Sequence, residues 1–372
     1  MSSLRGVKIA DFSRVLAGPY ATMLLGDMGA RVIKIERPIH GDDTRSWGPP
    51  YDSDGRATYF QSVNRNKEGV TADLSTEAGR KKALDIISTS DVLVENFAVG
   101  TMEKFGLGYA ELSKIFPQLI YASISGFGSS DEARALPGYD LLVQAMSGLM
   151  SVTGADSNHP SKVGVALIDV MAGLHCSLGI VSALYSRTQT GKGQKIEINL
   201  LSSALSGMVN QSGAFAGAGI TPQAMGNAHP SIAPYEVYPT HDKKIVIAVG
   251  NDAQFAKFCG VLGADFQTDP RFETNSHRVK NRSKLNALLL PLFATRDAQE
   301  LVNAFTKAGV PAGTINTVKE AVELAENLGL SPIVTIAEGR DGSSSRTIAN
   351  PITFSDTPVQ YRLAPPSLGI DD

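Results

Sequence analysis

Short apolar runs alternate with helix-patterned stretches from the first residues of the chain, and this alternation constrains the fold more than any single motif. Residues 7–12 form a strand-length apolar run. Ala17-Gly-Pro19 then turns the chain into a helical stretch over 20–28, and 30–35 reads as a second strand. The order recurs as strand 69–73, helix 76–88 with Glu77 in its first turn, and strands 91–95 and 119–125. A β-α-β alternation of this kind predicts a mostly parallel sheet covered by helices.

Farther along, 163–185 and 200–214 have the apolar spacing of long helices, separated by the turn Thr190-Gly-Lys-Gly193 and an alternating strand at 194–199. Residues 163–185 are long enough to span a bilayer, but they contain Asp169, His175 and three glycines and lack flanking basic clusters, so they are read as a buried soluble helix. Residues 215–234, rich in Gly, Ala and Pro, read as a linker with a binding loop. Strand 243–249 and helices 253–262, 279–293 and 298–308 follow. The tail from Ser331 is rich in Pro, Ser and Gly, as suits a segment crossing surfaces. The expected organisation is α/β: a large domain over 1–214 completed by 331–372, a linker and active-site loop at 215–234, and a small α+β domain at 235–330.

Composition narrows the partners. A chain of 372 residues with 42% hydrophobic content can bury one large core or two ordinary ones, and two domains are expected. Its 34 basic and 37 acidic residues nearly cancel without forming blocks, which argues against nucleic acid and membrane surfaces and for a small-molecule substrate. Cys176 and Cys259 stand far apart, outside any CxxC or His-rich cluster, so neither a disulfide framework nor a metal site is expected. With no apolar signal segment ahead of the first strand, a cytoplasmic location is expected.

The familiar cofactor motifs fail. Gly106-Leu-Gly108 and Gly126-Phe-Gly128 each begin a GxGxxG, but Glu111 and Asp131 stand where the last glycine belongs, and GxxxxGK[ST], GxSxG and HExxH are all absent. Asp169 is instead the informative residue, the single acid in the run Val163–Ile180. A carboxylate in such company is a helix N-cap, a reactive group, or both, because helix N-terminal amides can also receive a developing oxyanion. Ala172 and Gly173, one turn on, would keep the wall low for a ligand. Asp140 enters a second apolar helix and reads first as its cap. Arg37, Arg45 and Lys67 follow strand ends, where cations meet phosphates, although each alone is more often a surface charge. Met146, Met150 and Met171 read as core filler and His175 as a satisfied core histidine.

With these segments set out, the chain resembles the class III CoA-transferases, the family that also contains the alpha-methylacyl-CoA racemases. The resemblance rests on Asp11-Phe-Ser-Arg-Val-Leu-Ala-Gly-Pro19, Gly29-Ala-Arg-Val-Ile-Lys-Ile-Glu-Arg37-Pro38, Gly41-Asp-Asp-Thr-Arg45, Asn64-Arg-Asn-Lys67, Val94-Glu-Asn96-Phe97, Gly106-Leu-Gly108-Tyr109, Ser125-Gly-Phe-Gly128, Pro137-Gly-Tyr-Asp140, Val165-Ala-Leu-Ile-Asp169, Gly191-Lys-Gly-Gln194 and Asp269-Pro-Arg-Phe272. It implies a Rossmann-like large domain and an interlocked homodimer. It also implies Asp169 as the nucleophile and Val15, Leu16, Arg37, Lys67, Asn96, Phe97 and Lys104 as CoA contacts, with acyl-CoA as substrate, no permanently bound cofactor and no metal. The racemases place a histidine immediately before the aspartate matched by Asp140; here that residue is Tyr139, a poor proton shuttle near neutrality, which favours transfer over racemisation. The loop Gly226-Asn-Ala-His-Pro-Ser-Ile-Ala-Pro234-Tyr235 departs from the glycine-rich flap of formyl-CoA transferases and looks more like members acting on succinyl-CoA and dicarboxylic acids. In this reading the loop is a lid, and His229 or Ser231 orients the acceptor. The alternatives are a racemase or epimerase with Asp140 or Tyr139 as second base, and a CoA-binding protein without turnover.

Overall fold

In the computed structural model, which describes residues 2–336, 342 and 344–372, the chain divides into two compact units. One comprises 1–149, 162–220 and 330–372, and the other 150–161 and 221–329. Residues 150–161, read from sequence as part of the large domain, therefore group with the second unit, while 215–220 of the expected linker stay with the first.

The first unit is built on strands β1 (Lys8–Asp11), β2 (Arg31–Glu36), β3 (Lys67–Thr71), β4 (Val92–Glu95), β5 (Ile120–Ser125) and β6 (Lys195–Asn199). All pair in parallel, in the order β3-β2-β1-β4-β5-β6. Successive side chains in a strand face opposite sides, and here both sides are apolar. Ile9, Val32, Val92 and Ile120 point into one core, while Ala10, Ile33, Leu93 and Tyr121 point into another. The first core is closed by helices α1 (Ala17–Asp27) and α4 (Leu167–Thr190), the second in part by α2 (Glu77–Ser88). α3 (Asp140–Met146) and α5 (Leu200–Gly207) lie between β5 and α4 and just after β6 in the chain.

Several boundaries differ from expectation for physical reasons. β3 reaches back to Lys67 because that lysine, polar in the sequence pattern, is buried against an aspartate. The expected helix 200–214 is two, Leu200–Gly207 and Asn210–Ala218, separated at Val209, whose φ is +38°. Helix 163–185 starts later, at Leu167, and runs on until Gly191 stops it at φ +67°. α4 is also buried on one face only: Ile168, Ala172, Cys176, Ile180 and Ala183 face the core, whereas Leu174, Leu178, Val181 and Tyr185 are exposed in this chain.

The C-terminal tail returns to the first unit. Its strands Ile333–Ile336 and Ser345–Ile348 pair antiparallel, and the part of the tail at 337–341 and 343 lies outside the described residues. Asp371 exchanges hydrogen bonds with Gly69, and Asp372 accepts from the Thr71 amide at 2.7 Å, so the tail covers the open edge left by β3. Buried Asp27 gathers Arg65, Asn66 and Asn350 at 2.7–3.0 Å, tying α1 to the tail.

The second unit carries an antiparallel sheet of β7 (Tyr235–Pro239), β8 (Lys244–Ala248) and β9 (Ala312–Thr314). Its core is aromatic: Phe258 stacks on Phe305 at 5.3 Å and Tyr238 on Phe293 at 4.7 Å. The expected helix 279–293 is interrupted at Asn281 between Asn275–Lys280 and Arg282–Ala294.

Candidate active site

In a parallel sheet whose strand order reverses between neighbouring strands, the loops leaving the carboxyl ends part and open a crevice. Here the reversal lies between β1 and β4. A cleft of about 490 Å³ opens there, lined by the loops after β1, β4 and β5 and by the start of α4. Val15, Leu16, Asn96, Phe97, Tyr139, Asp140 and Asp169 all lie on its wall. Residues scattered over more than 150 positions of sequence are thus brought to one surface.

Asp169 is the third residue of α4 and does not cap it. The N-cap position is Ala166, and the acceptor that satisfies the helix N-terminus comes from α3. Asp140 Oδ1 accepts the Ile168 amide at 2.9 Å and the Asp169 amide at 3.2 Å, while its Oδ2 accepts from Gln144 Nε2 at 2.6 Å. Asp140 caps not its own helix but the one that carries Asp169, a correction to both cap readings. The Asp169 carboxylate itself receives no hydrogen bond from the described residues. Burial first, and the nearby Asp140 charge second, push it up to about 7. Tyr59 is also close: burial and then the Asp169 charge push its phenol up to about 12.

A second wall is the turn from β1 into α1. Leu16 is the N-cap and makes no side-chain cap, and the amides of Leu16, Ala17 and Gly18 meet no acceptor among the described residues. These are orphan donors at a positive helix end, and Leu16 and Ala17 lie on the wall of the same cleft. Asp140 already occupies the Ile168 and Asp169 amides of α4, whereas the Leu16 and Ala17 amides at the start of α1 remain available to an oxyanion. Gly173 serves the crossing of these two helices: a Cβ there would sit 2.7 Å from the Ala17 carbonyl oxygen. With Ala172 fully buried, neither residue forms the low ligand wall expected from the sequence.

The remaining expected contacts divide. Asn96 uses both ends of its amide on the Arg14 backbone, accepting its N–H at 2.8 Å and donating to its carbonyl at 2.7 Å. Phe97 presents a ring whose centroid lies 4.4 Å beneath the Arg14 guanidinium. Arg14, together with Arg134, supplies cationic charge to the cleft wall. Neither was singled out from sequence, although Arg14 lies inside the Asp11–Pro19 segment, two residues before the apolar contact Leu16. Lys67 does not line the cleft. Its ammonium is wholly buried, bound to Asp11 at 3.1 Å, the Pro19 carbonyl at 2.9 Å and Asn64 at 3.0 Å, and burial lowers it to about 8 against the pull of Asp11. Arg37 and Arg45 are engaged by Asp43 and Glu36, and neither they nor exposed Lys104 line the cleft.

His229 and Ser231 belong to the second unit, in a loop held from within that unit. Arg282 donates to the Ile232 carbonyl at 3.1 Å and to the His229 carbonyl, and buried Arg278 donates to the Ala233 carbonyl at 2.7 Å. His229 Nδ1 accepts the Ser231 amide at 3.1 Å, so a neutral ring carries its proton on Nε2. Among the described residues no group of His, Cys, Asp and Glu is arranged to hold a metal ion.

The sequence matches the model of CoA-transferase family III over residues 4–372. It is 38% identical to a succinate--glutarate CoA-transferase of Agrobacterium fabrum, covering 98% of this chain and 93% of that one. It is 41% identical to an acetyl-CoA:oxalate CoA-transferase of Acetobacter aceti, over 88% and 85% of the two chains. The fold matches the crystal structure of a CaiB/BaiF family protein from Brucella suis with a TM-score of 0.87 and 40% identity, over 99% and 97% of the chains. The cleft, the nearly full-length match and these relatives lead to one conclusion: the chain belongs to CoA-transferase family III and is an enzyme that moves CoA from an acyl-CoA to a carboxylic acid.

Proposed function

We propose that Asp169 is the covalent carrier in this transfer, with succinyl-CoA or a similar acyl-CoA as donor and a dicarboxylic acid as acceptor. The observation that carries this reading is a half-buried carboxylate that receives no hydrogen bond from the described residues, on a cleft wall shared with the Leu16 and Ala17 amides, which meet no acceptor among those residues; burial pushes the carboxyl upward. A carboxylate with little solvation is a better nucleophile than one in water. One Asp169 oxygen attacks the thioester carbonyl, and the C–S bond breaks to release CoA thiolate and leave a mixed anhydride. The thiolate then attacks the aspartyl carbonyl, which frees the donor acid and gives an aspartyl-CoA thioester. The acceptor carboxylate attacks that thioester, again expelling CoA thiolate, and the thiolate takes the acyl group from the second anhydride and restores Asp169. Each tetrahedral oxyanion would be received by the α1 amides. No step needs a strong base.

Relatives named for glutarate, mesaconate and oxalate support a dicarboxylate acceptor and keep oxalate in the panel. Strand order supports a Rossmann-like CoA domain, with Val15, Leu16, Asn96 and Phe97 as CoA contacts. The exposed apolar stripe of α4 supports a homodimer. A cytoplasmic location belongs to the same reading.

The test is intact-protein mass spectrometry after incubation with succinyl-CoA, comparing wild type with Asp169→Ala. A CoA adduct that hydroxylamine removes and the variant lacks is expected. Turnover without any adduct, or an adduct that persists in Asp169→Ala, overturns the assignment.

A further inference from the structure

Val15 is β-branched and sits at φ +67°, a region that branched L-residues avoid. Its neighbours in the β1–α1 turn are held from beneath, residue by residue. Ser13 donates to Asp11 through both its amide and its hydroxyl, and its carbonyl accepts from Lys34 Nζ at 3.0 Å. Arg14 is clamped by Asn96. The Val15 amide donates to the Asp42 carboxylate at 3.2 and 3.3 Å.

Asp42 is in turn fixed by Lys34 at 2.9 Å and by the amide and hydroxyl of Thr44 at 3.0 and 2.8 Å. Neither side chain of the Lys34–Asp42 pair has any exposed surface, and neither residue lines the cleft. Removing two charges from water is costly, so a buried pair of this kind is weak evidence of a stabilising role. Its contacts point to another one: beyond Lys34 and Thr44, the Asp42 carboxylate accepts the amide of strained Val15, and Lys34 donates to the Ser13 carbonyl of the same turn.

We propose that the Lys34–Asp42 pair is a positioning device for CoA transfer: it locks Val15 in the left-handed conformation and thereby fixes the unsatisfied amides of Leu16 and Ala17 on the wall of the Asp169 cleft. The inference rests on reading that cleft as the site of transfer. Asp42 and Lys34 are positioning residues, acting through the backbone of the turn.

The test replaces the pair together, Lys34→Met with Asp42→Ala, so that no charge is left buried and unpaired. The folded double variant should lose about tenfold to a hundredfold in kcat, as expected for misplaced oxyanion donors, while KM for succinyl-CoA stays within about threefold. Adding Val15→Gly removes the strain that the pair opposes, and should restore kcat by about fivefold or more. A folded double variant with wild-type kcat, equal losses in kcat and KM, or no restoration by Val15→Gly would overturn the proposal. Should circular dichroism show the double variant unfolded, Asp42→Asn with and without Val15→Gly gives the same comparison, with restoration expected and its absence decisive against. Because kcat is read in steady state, failure to trap an aspartyl adduct in wild type would retire the covalent intermediate without altering this result.

Discussion

At the scale of single residues, Asp169 and Asp140 form an unequal pair. Asp140 takes the helix amides, whereas the Asp169 carboxylate receives no hydrogen bond from the described residues to offset its burial and the Asp140 charge. A carboxyl raised from 3.8 to about 7 makes its stabilising contribution below pH 4 and loses it as pH rises through 7. Asp169→Asn should therefore abolish transfer yet raise stability by about 1–3 kcal/mol at pH 8, with no gain at pH 4, as thermal melts at both values would show. For wild type, kcat/KM should rise with pH through an inflection near 7, where the free enzyme's nucleophile ionises. Asp140→Asn keeps an acceptor for the helix amides and removes the charge, so the inflection should move down. An unmoved profile would assign the shift to burial alone. That Asp169 mattered was legible from its isolation in an apolar run. That a residue 29 positions upstream would cap its helix was not, because side-chain hydrogen bonds between helices leave no periodic trace.

Among elements, the sheet's strands were legible because both faces of a parallel sheet are buried and the strands read as apolar runs. β3 was the exception at its first residues, since Lys67 looked like a phosphate ligand at a strand end. It is instead a pin beneath α1, joining β3 to Asp11 of β1 and to the Pro19 carbonyl. Lys67→Met should cost about 3–5 kcal/mol, because it leaves Asp11 buried with its charge unpaired. Urea unfolding measures that loss. In whatever fraction stays folded, KM for acyl-CoA should be unchanged, whereas Arg14→Ala, which removes a cation from the cleft wall, should raise KM by about tenfold with stability intact. The reverse pattern would return Lys67 to the binding site. The two expected helices break at Val209, held at φ +38°, and at Asn281, points that average apolar spacing does not register.

For the molecule as a whole, α4 is long and apolar enough by length and composition to cross a membrane, and 33% of its most apolar stretch is buried in this chain. Its exposed stripe of Leu174, Leu178, Val181 and Tyr185 recurs at helical spacing and is what a second copy would cover. Leu178→Glu should shift the protein from dimer toward monomer in light scattering after size exclusion. A wild type that is monomeric at micromolar concentration would remove the dimer from the reading. What the sequence determined by itself was local and periodic: alternating strands and helices, a lone acid in apolar company, and ordered segments enough to indicate a family. What only the tertiary structure decided was which charges meet. Lys34 with Asp42, Lys67 with Asp11 and Asp140 with the amides of α4 are pairings across different elements, set by strand order and helix crossing rather than by spacing along the chain.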